Sequence, residues 1–224
     1  MNKEITQVKL VSKTIGVGLY ENLSNEEIIA AVARHGVIKE DNGKLVKYLM
    51  DHRHLSPLQH VYFSFKIVTS RAISAQAFRH ASLDFQETSQ RYEEINSVIF
   101  PELRKQHKNN RQSSTEQFNP VLKKSGKLAS DRINILLEEI DQVYKELIEE
   151  GTAKECARMI LPMCSATTIH ISGNFRNLLA FLNVRCDSHA QKEIQYIASC
   201  MGLELENEMP SIMGAIDWRN GMFL

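Results

Sequence analysis

The sequence predicts a mixed α/β fold, and three observations carry that expectation. Val61 to Thr69, VYFSFKIVT, is dense in β-branched and aromatic residues, the composition of a half-buried strand. Leu128 to Glu150 instead places Ile133, Leu136, Leu137, Ile140, Val143, Tyr144, Leu147 and Ile148 at three- and four-residue steps, the period of an amphipathic helix, and Gly151 follows its end. With 224 residues, 43% of them hydrophobic, the chain can bury a substantial core as one large domain or two small ones.

The elements follow in order. Gln7 to Ser12 alternates weakly and reads as an opening strand. Ser24 with Glu27 forms a capping-box pattern ahead of a short helix whose apolar side is Ile28, Ile29 and Val32. The next helix spans Gly43 to His52, with Leu45, Tyr48 and Leu49 turned inward. After the strand at Val61 to Thr69 the pattern changes to helix from Arg71 to His80, on which Gln76, Arg79 and His80 fall at i, i+3 and i+4 and share one face. Ser97 to Lys127 is polar, with Pro101, Pro120 and little periodicity, and reads as a long surface excursion. Ala153 to Leu161 forms a short helix closed by Pro162, and Ala166 to Ser172 a second strand in which His170 is a satisfied core or edge histidine. Leu178, Leu179, Phe181 and Leu182 then give a helical core face, with Asn174 and Arg176 at its N-terminal end and Arg185 at its C-terminal end. Ser188 with Gln191 is a second capping-box candidate, opening a last long helix through Ile194, Ile197 and Met201.

Functional side chains concentrate in Arg79 to Tyr92, RHASLDFQETSQRY. Arg79, Arg91 and Ser89 are partners for phosphate or carboxylate, beside Glu87, His80, Gln86 and Gln90, while Phe85 and Tyr92 supply anchors to a core. In an extended backbone Glu87, Ser89 and Arg91 project from one face, offering a hydroxyl and a guanidinium to a nucleotide phosphate. The plainer alternative for such a stretch is a solvated polar turn. Arg158, set among Met159, Ile160 and Leu161, either snorkels to water or meets a buried anion.

Other classes are argued against. Net charge is zero and the pI near 7.1, without the basic excess that grips duplex nucleic acid. No run of about 18 apolar residues points to a membrane span, and MNKEITQVKL lacks a signal-peptide stretch, so a cytoplasmic protein is expected. His52, His54 and His60 lack an acidic or thiol fourth ligand at suitable spacing, so no metal is expected. Cys156, Cys164, Cys186 and Cys200 contain no Cys-x-x-Cys pair and read as buried free thiols.

The polar segment resembles the signature of the flavin-dependent thymidylate synthases, in which Arg-His-Arg is followed by seven residues, a serine and a Gln-Arg-Tyr or Gly-Arg-Tyr end. Arg79, His80, Ser89, Arg91 and Tyr92 match; Ala81 stands where the family has its second arginine. Three further stretches match in the same order. His54 and Ser56 lie in the family's His-x-Ser/Thr-Pro element, ECARMILP carries Arg158, and Asn174 to Gln195 contains Asn174, Arg176, Arg185 and the Ser-His-Ala-Gln run with His189. Ala180 replaces a residue commonly Asn or His.

The resemblance implies a single α/β (α+β) domain over residues 1–224, with helices packed on a twisted, mostly antiparallel sheet. It further implies a homotetramer with sites at subunit contacts and no nucleic-acid partner. The implied reaction is reductive methylation of dUMP to dTMP, with 5,10-methylenetetrahydrofolate giving the carbon, FAD carrying hydride and NADPH reducing the flavin. By family position Arg185 is the catalytic cation at the pyrimidine edge. Gln76, Arg79, Glu87, Ser89, Gln90, Arg91, Arg158 and Arg185 form the dUMP shell. His54, Ser56, Arg79, His80, Glu87, Asn174, Arg176 and His189 surround FAD. Ala81 and Ala180 remove flavin contacts unless another cation, such as Lys66 or Arg71, has moved in. The competing expectation is a non-catalytic nucleotide- or RNA-binding homologue that keeps the arginines and loses the flavin.

Overall fold

The computed structural model describes residues 1–39, 42–221 and 223–224. Its elements are β1 (Asn2–Glu4), β2 (Gln7–Lys13), α1 (Asn25–Ala33), α2 (Gly43–Asp51), β3 (Tyr62–Ser70), α3 (Arg71–Ala77), β4 (Asp84–Glu87) and β5 (Ser97–Ile99). They continue with β6 (Arg104–Gln106), β7 (Ser114–Gln117), α4 (Ala129–Glu149), α5 (Lys154–Ala157), β8 (Ala166–Asn174), α6 (Phe175–Arg185), α7 (Lys192–Glu208) and α8 (Pro210–Met213). The chain divides into two compact units interleaved in sequence. One comprises Met1–Thr6, Val68–Ala75 and Glu87–Thr168; the other comprises Gln7–Ile67, Gln76–Gln86 and Ile169–Leu224.

A four-stranded sheet runs in the order β2-β3-β8-β4. Its strand directions follow from the hydrogen bonds at the strand ends. The Thr14 N–H, past the end of β2, donates to the Tyr62 carbonyl at the start of β3. The Phe175 N–H, past the end of β8, donates to Val61 ahead of β3, and Thr88, past β4, donates to Thr168 near the start of β8. End meets beginning each time, so neighbouring strands are antiparallel, as expected. The short β1–β5 pair is parallel, and β6 and β7 form an antiparallel hairpin.

Alternation explains the core. β3 buries Phe63, Phe65 and Ile67 on one face, and β8 buries Ile169 and Ile171. On the other face the Ser172 hydroxyl donates to Ser64 at 2.9 Å. In the second unit α6 buries Phe175, Leu178, Leu179, Phe181 and Leu182, and α7, packed against it, buries Ile194, Ile197, Ala198, Met201 and Leu205. The capping box that opens α1 is present in full: Ser24 Oγ accepts from the Glu27 N–H and the Glu27 carboxylate accepts from the Ser24 N–H.

Several expectations are corrected. Tyr48 faces outward and stacks on His52 at 4.0 Å; Val46, Leu49 and Met50 fill the inner face of α2. β4 stops at Glu87, and Ser89 to Tyr92 is a turn in which the Ser89 carbonyl accepts from the Tyr92 and Glu93 N–H groups. Glu87, Ser89 and Arg91 therefore do not share an extended face, and Tyr92, 78% exposed, anchors nothing. α3 ends at Ala77, short of His80. The Ser97 to Lys127 excursion contains three short strands. Ala153 to Leu161 holds only the single turn α5 and a 3-10 turn over Arg158–Ile160. Leu136 and Val143 of α4 point outward. His170 is exposed, since its position in β8 falls opposite the buried Ile169 and Ile171. α7 starts at Lys192 with Gln191 as its N-cap, so Ser188 forms no capping box. Cys156 is exposed, Cys164 and Cys200 are partly so, and Cys186 alone is buried.

Candidate active site

The turn after α3 places Arg79 and His80, and the second unit fixes that turn at several points. The Phe78 and Phe85 rings meet edge to face at 5.0 Å, and the Asn177 side-chain amide donates to the Ser82 carbonyl at 2.7 Å. Leu83 packs so closely on β8 that a Cβ at Gly173 would stand 2.4 Å from its Cδ2. Glycine is needed there for the approach, not for an unusual backbone angle.

Against this turn lies the last residue of α6. Arg185 Nε donates to His80 Nε2 at 2.8 Å, and its Nη2 donates to the Gln76 carbonyl at 3.3 Å. The His80 ring sits edge to face on buried Phe181, with centroids 4.8 Å apart. Burial, and then the charge of Arg185, push the His80 pKa down to about 4, so the ring is neutral at pH 7. Burial, and then the neighbouring Arg79, lower the pKa of Arg185, which remains charged. Arg79 and Arg185 are thus like charges in proximity, and neither is ion-paired to a carboxylate among the described residues. The Gln76 Oε1 atom is buried without a partner. Such a cluster favours an anion or a ring that gains negative charge.

Asn174 caps α6, its Oδ1 accepting from the Asn177 N–H at 3.0 Å. That oxygen is occupied, while Arg176 in the first turn is exposed. His189 is exposed, and both its backbone N–H and its Nδ1 meet Asp187 Oδ1, at 2.7 and 2.8 Å. Hydrogen bonds from the His189 backbone and ring hold the Asp187 carboxyl below its ordinary pKa. His54 and Ser56 lie exposed beyond α2, where Arg53 takes the left-handed conformation, φ 55°, and the His54 N–H closes the helix by donating to Leu49.

The first unit carries the other expected residues. Glu87 accepts from the Arg71 guanidinium and from Thr167 Oγ1. Its carboxylate is therefore engaged, and the charge of Arg71, one candidate replacement for the arginine missing at Ala81, is paired with it. Lys66, in the second unit, is exposed. Arg91 pairs with Glu155, its Nη2 at 2.9 Å, and both side chains are largely exposed. Gln90 is buried with its Nε2 unpartnered, and Ser89 is exposed. Arg158 is half-buried without an ion pair among the described residues, and its neighbours Met159 and Ile160 are exposed, so the apolar run around it is no core.

Gln76, Arg79, His80 and Arg185 are thus brought into one cluster. Phe181, Asp187 and Thr167 were not singled out as site residues in the sequence, and Arg71 was named there only as a replacement cation, not as the partner of Glu87. Phe181 was legible only as a core position, and the other three act through contacts remote in sequence or, for Asp187, through a turn with no periodic signature.

A family model described as thymidylate synthase complementing protein matches residues 17–211. The chain is 34% identical over 201 residues to a flavin-dependent thymidylate synthase of Synechocystis sp., covering 88% of this chain and 92% of that one. It is 33% identical to a probable flavin-dependent thymidylate synthase of Paramecium bursaria Chlorella virus 1, covering 94% and 98%. The crystal structure of a UMP/dUMP methylase from Streptomyces cacaoi superposes with a TM-score of 0.79 at 24% identity, covering 95% of this chain and 94% of that one.

Proposed function

The chain belongs to the flavin-dependent thymidylate synthase family, and we propose that it catalyses the reductive methylation of dUMP to dTMP with FAD as cofactor, 5,10-methylenetetrahydrofolate as carbon donor and NADPH as reductant. The observation that carries this reading is the Arg79–Arg185 pair: two guanidiniums without a carboxylate partner, one held by a neutral imidazole. For C5 of uracil to attack the one-carbon unit, electron density must be pushed through the ring, and the ring edge gains negative charge. Arg185, partly buried and uncompensated, stabilises that charge as it develops. Arg79 and the unpartnered amide oxygen of Gln76 complete the nucleotide edge in the second unit. On the family resemblance, Ser89, Gln90, Arg91 and Arg158 are also proposed as dUMP contacts. Glu87 positions Arg71 there, besides its expected role beside the ligands.

The residues present fit a flavin. Arg79 and Arg176 are exposed cations for its diphosphate, and His54, Ser56 and His189 are exposed polar groups at the expected positions. Asn174 serves by capping the helix that carries Arg176. When bound, FAD supplies the hydride that completes the methyl group. A thiolate route gains no support from Cys186, whose pKa burial pushes up to about 11, or from Cys164, raised by burial as well. We further propose that residues 1–224 act as one functional domain in a cytoplasmic homotetramer. The outward Leu136 and Val143 of α4 support such a contact.

The test is reconstitution. Protein loaded with FAD and given dUMP, methylenetetrahydrofolate and NADPH is expected to form dTMP, and omission of any one component abolishes it. A protein that refuses FAD yet binds dUMP would instead be the non-catalytic homologue.

A further inference from the structure

We propose that His80 is a positioning residue for Arg185: its bare Nε2 orients the guanidinium at the pyrimidine edge without neutralising it. The proposal rests on the thymidylate synthase reading for the identity of the ligand Arg185 meets; the grip itself stands on geometry.

Arginine can only donate, so the 2.8 Å contact from Arg185 Nε requires an acceptor at His80 Nε2 and places the ring proton on Nδ1. An imidazolium has no acceptor and would add a third positive charge beside Arg79 and Arg185. The edge-to-face contact with buried Phe181 restrains the ring, and Phe181 and Arg185 lie one helical turn apart on α6. The Gln76 carbonyl takes one N–H of Nη2 at 3.3 Å, so both partners of the guanidinium are neutral acceptors.

This choice of partner matters. A carboxylate would orient Arg185 at least as firmly, but it would cancel the charge needed by the ring of dUMP. Two neutral acceptors fix the plane of the guanidinium and leave three of its five N–H groups, and its full charge, for a ligand. Such an arrangement lowers the reorganisation required when charge develops, since the donor is already aimed. In this role His80 need not touch the reacting atoms, and its action through Arg185 is separable from any contact that Nδ1–H makes.

Two amide substitutions separate the two nitrogens. The side-chain oxygen of glutamine reaches about as far as histidine Nε2, whereas asparagine mimics Nδ1. Both variants are expected to lose activity, but His80→Gln is expected to keep a kcat at least about tenfold above that of His80→Asn, with a smaller difference between them in the KM for dUMP, the signature of a misplaced transition-state group. An active Asn variant beside an inactive Gln variant, or equal activity in both, would overturn the proposal.

Long-range 1H–15N correlation on the flavin-free protein at pH 7 provides an independent readout. His80 is expected to carry its proton on Nδ1, and Arg185→Ala is expected to move its titration up toward that of an ordinary histidine. A proton on Nε2, or a titration unmoved by Arg185→Ala, overturns the grip. Wild-type protein that makes no dTMP with every component present would sink the thymidylate synthase reading instead, while the tautomer and its response to Arg185→Ala would still decide whether His80 holds Arg185.

Discussion

Arg185 has two neutral acceptors and a cationic neighbour, which leaves three of its N–H groups for the proposed contact with dUMP. Replacing it by alanine removes charge from the transition state more than from the bound substrate. Saturated turnover is expected to fall by about 10²- to 10³-fold, measured as kcat at saturating dUMP; weakened dUMP affinity with intact kcat would reduce Arg185 to a docking residue. Ala81 makes the opposite prediction. Arg71, a candidate to replace the arginine the family has at this position, has its charge paired with Glu87. Ala81→Arg is expected to tighten FAD by about tenfold in a titration of flavin-free protein, part of a charged hydrogen bond's usual worth. Exposed Asp84 could capture the new side chain, and Ala81→Arg with Asp84→Ser separates that outcome. His80 adds a pH dependence. Its folded pKa of about 4 lies below the ordinary value near ~6.5, so between these the unfolded chain binds more protons and stability falls as pH drops. The charge that acts on it is Arg185, itself beside Arg79. Urea unfolding at pH 7 and pH 5 should show a larger loss for wild type than for His80→Gln, in which nothing titrates at that position; equal losses would mean that His80 is not buried neutral.

Where local geometry sufficed, the elements were legible in the sequence. Ser24 and Glu27 announced the start of α1, because their side chains bond each other's backbone within one turn. The core face of α6 appeared in its three- and four-residue spacing, and that spacing set Arg185 at its C-terminal end. Ser188 and Gln191 carried the same kind of pattern but produced no cap. The Ala190 N–H instead bonds the Asp187 carbonyl, and the chain does not enter α7 until Lys192. The break after Glu87 was hidden for a similar reason: Arg71 and Thr167, distant in sequence, take the carboxylate, and the Ser89 carbonyl gathers a turn. Nor did periodicity mark Gly202 in α7. A Cβ there would stand 2.1 Å from Trp218 Cζ3, so Gly202→Ala should destabilise by about 1–3 kcal/mol through overpacking, despite a helix-propensity gain of up to ~1 kcal/mol. An unchanged or higher urea midpoint would show that the Trp218 ring moves aside without cost.

For the whole molecule, four motifs in family order made the fold class and the family legible, whereas the division into two units interleaved in sequence left no linear pattern. The role of the cysteines can be tested across the entire chain. A folded variant with Cys156, Cys164, Cys186 and Cys200 all changed to serine or alanine should retain dUMP-dependent flavin oxidation, and selective loss of turnover in a flavin-loaded Cys186 variant would contradict that. The outward residues of α4 give an assembly prediction: if they form the proposed subunit contact, Leu136→Glu with Val143→Glu should lower the mass measured by light scattering, while an unchanged mass would place any subunit contact elsewhere. In the proposed reaction, hydride reaches the new methyl group from NADPH through the flavin, with Arg185 rather than a thiolate activating the pyrimidine. The most direct measurement of this route is the balance of products in one reaction mixture. Expected are dTMP and oxidised NADPH in equal amounts, with tetrahydrofolate as the folate product and no dTMP when FAD is withheld; dihydrofolate appearing in step with dTMP, or dTMP made without flavin, would rule out this route.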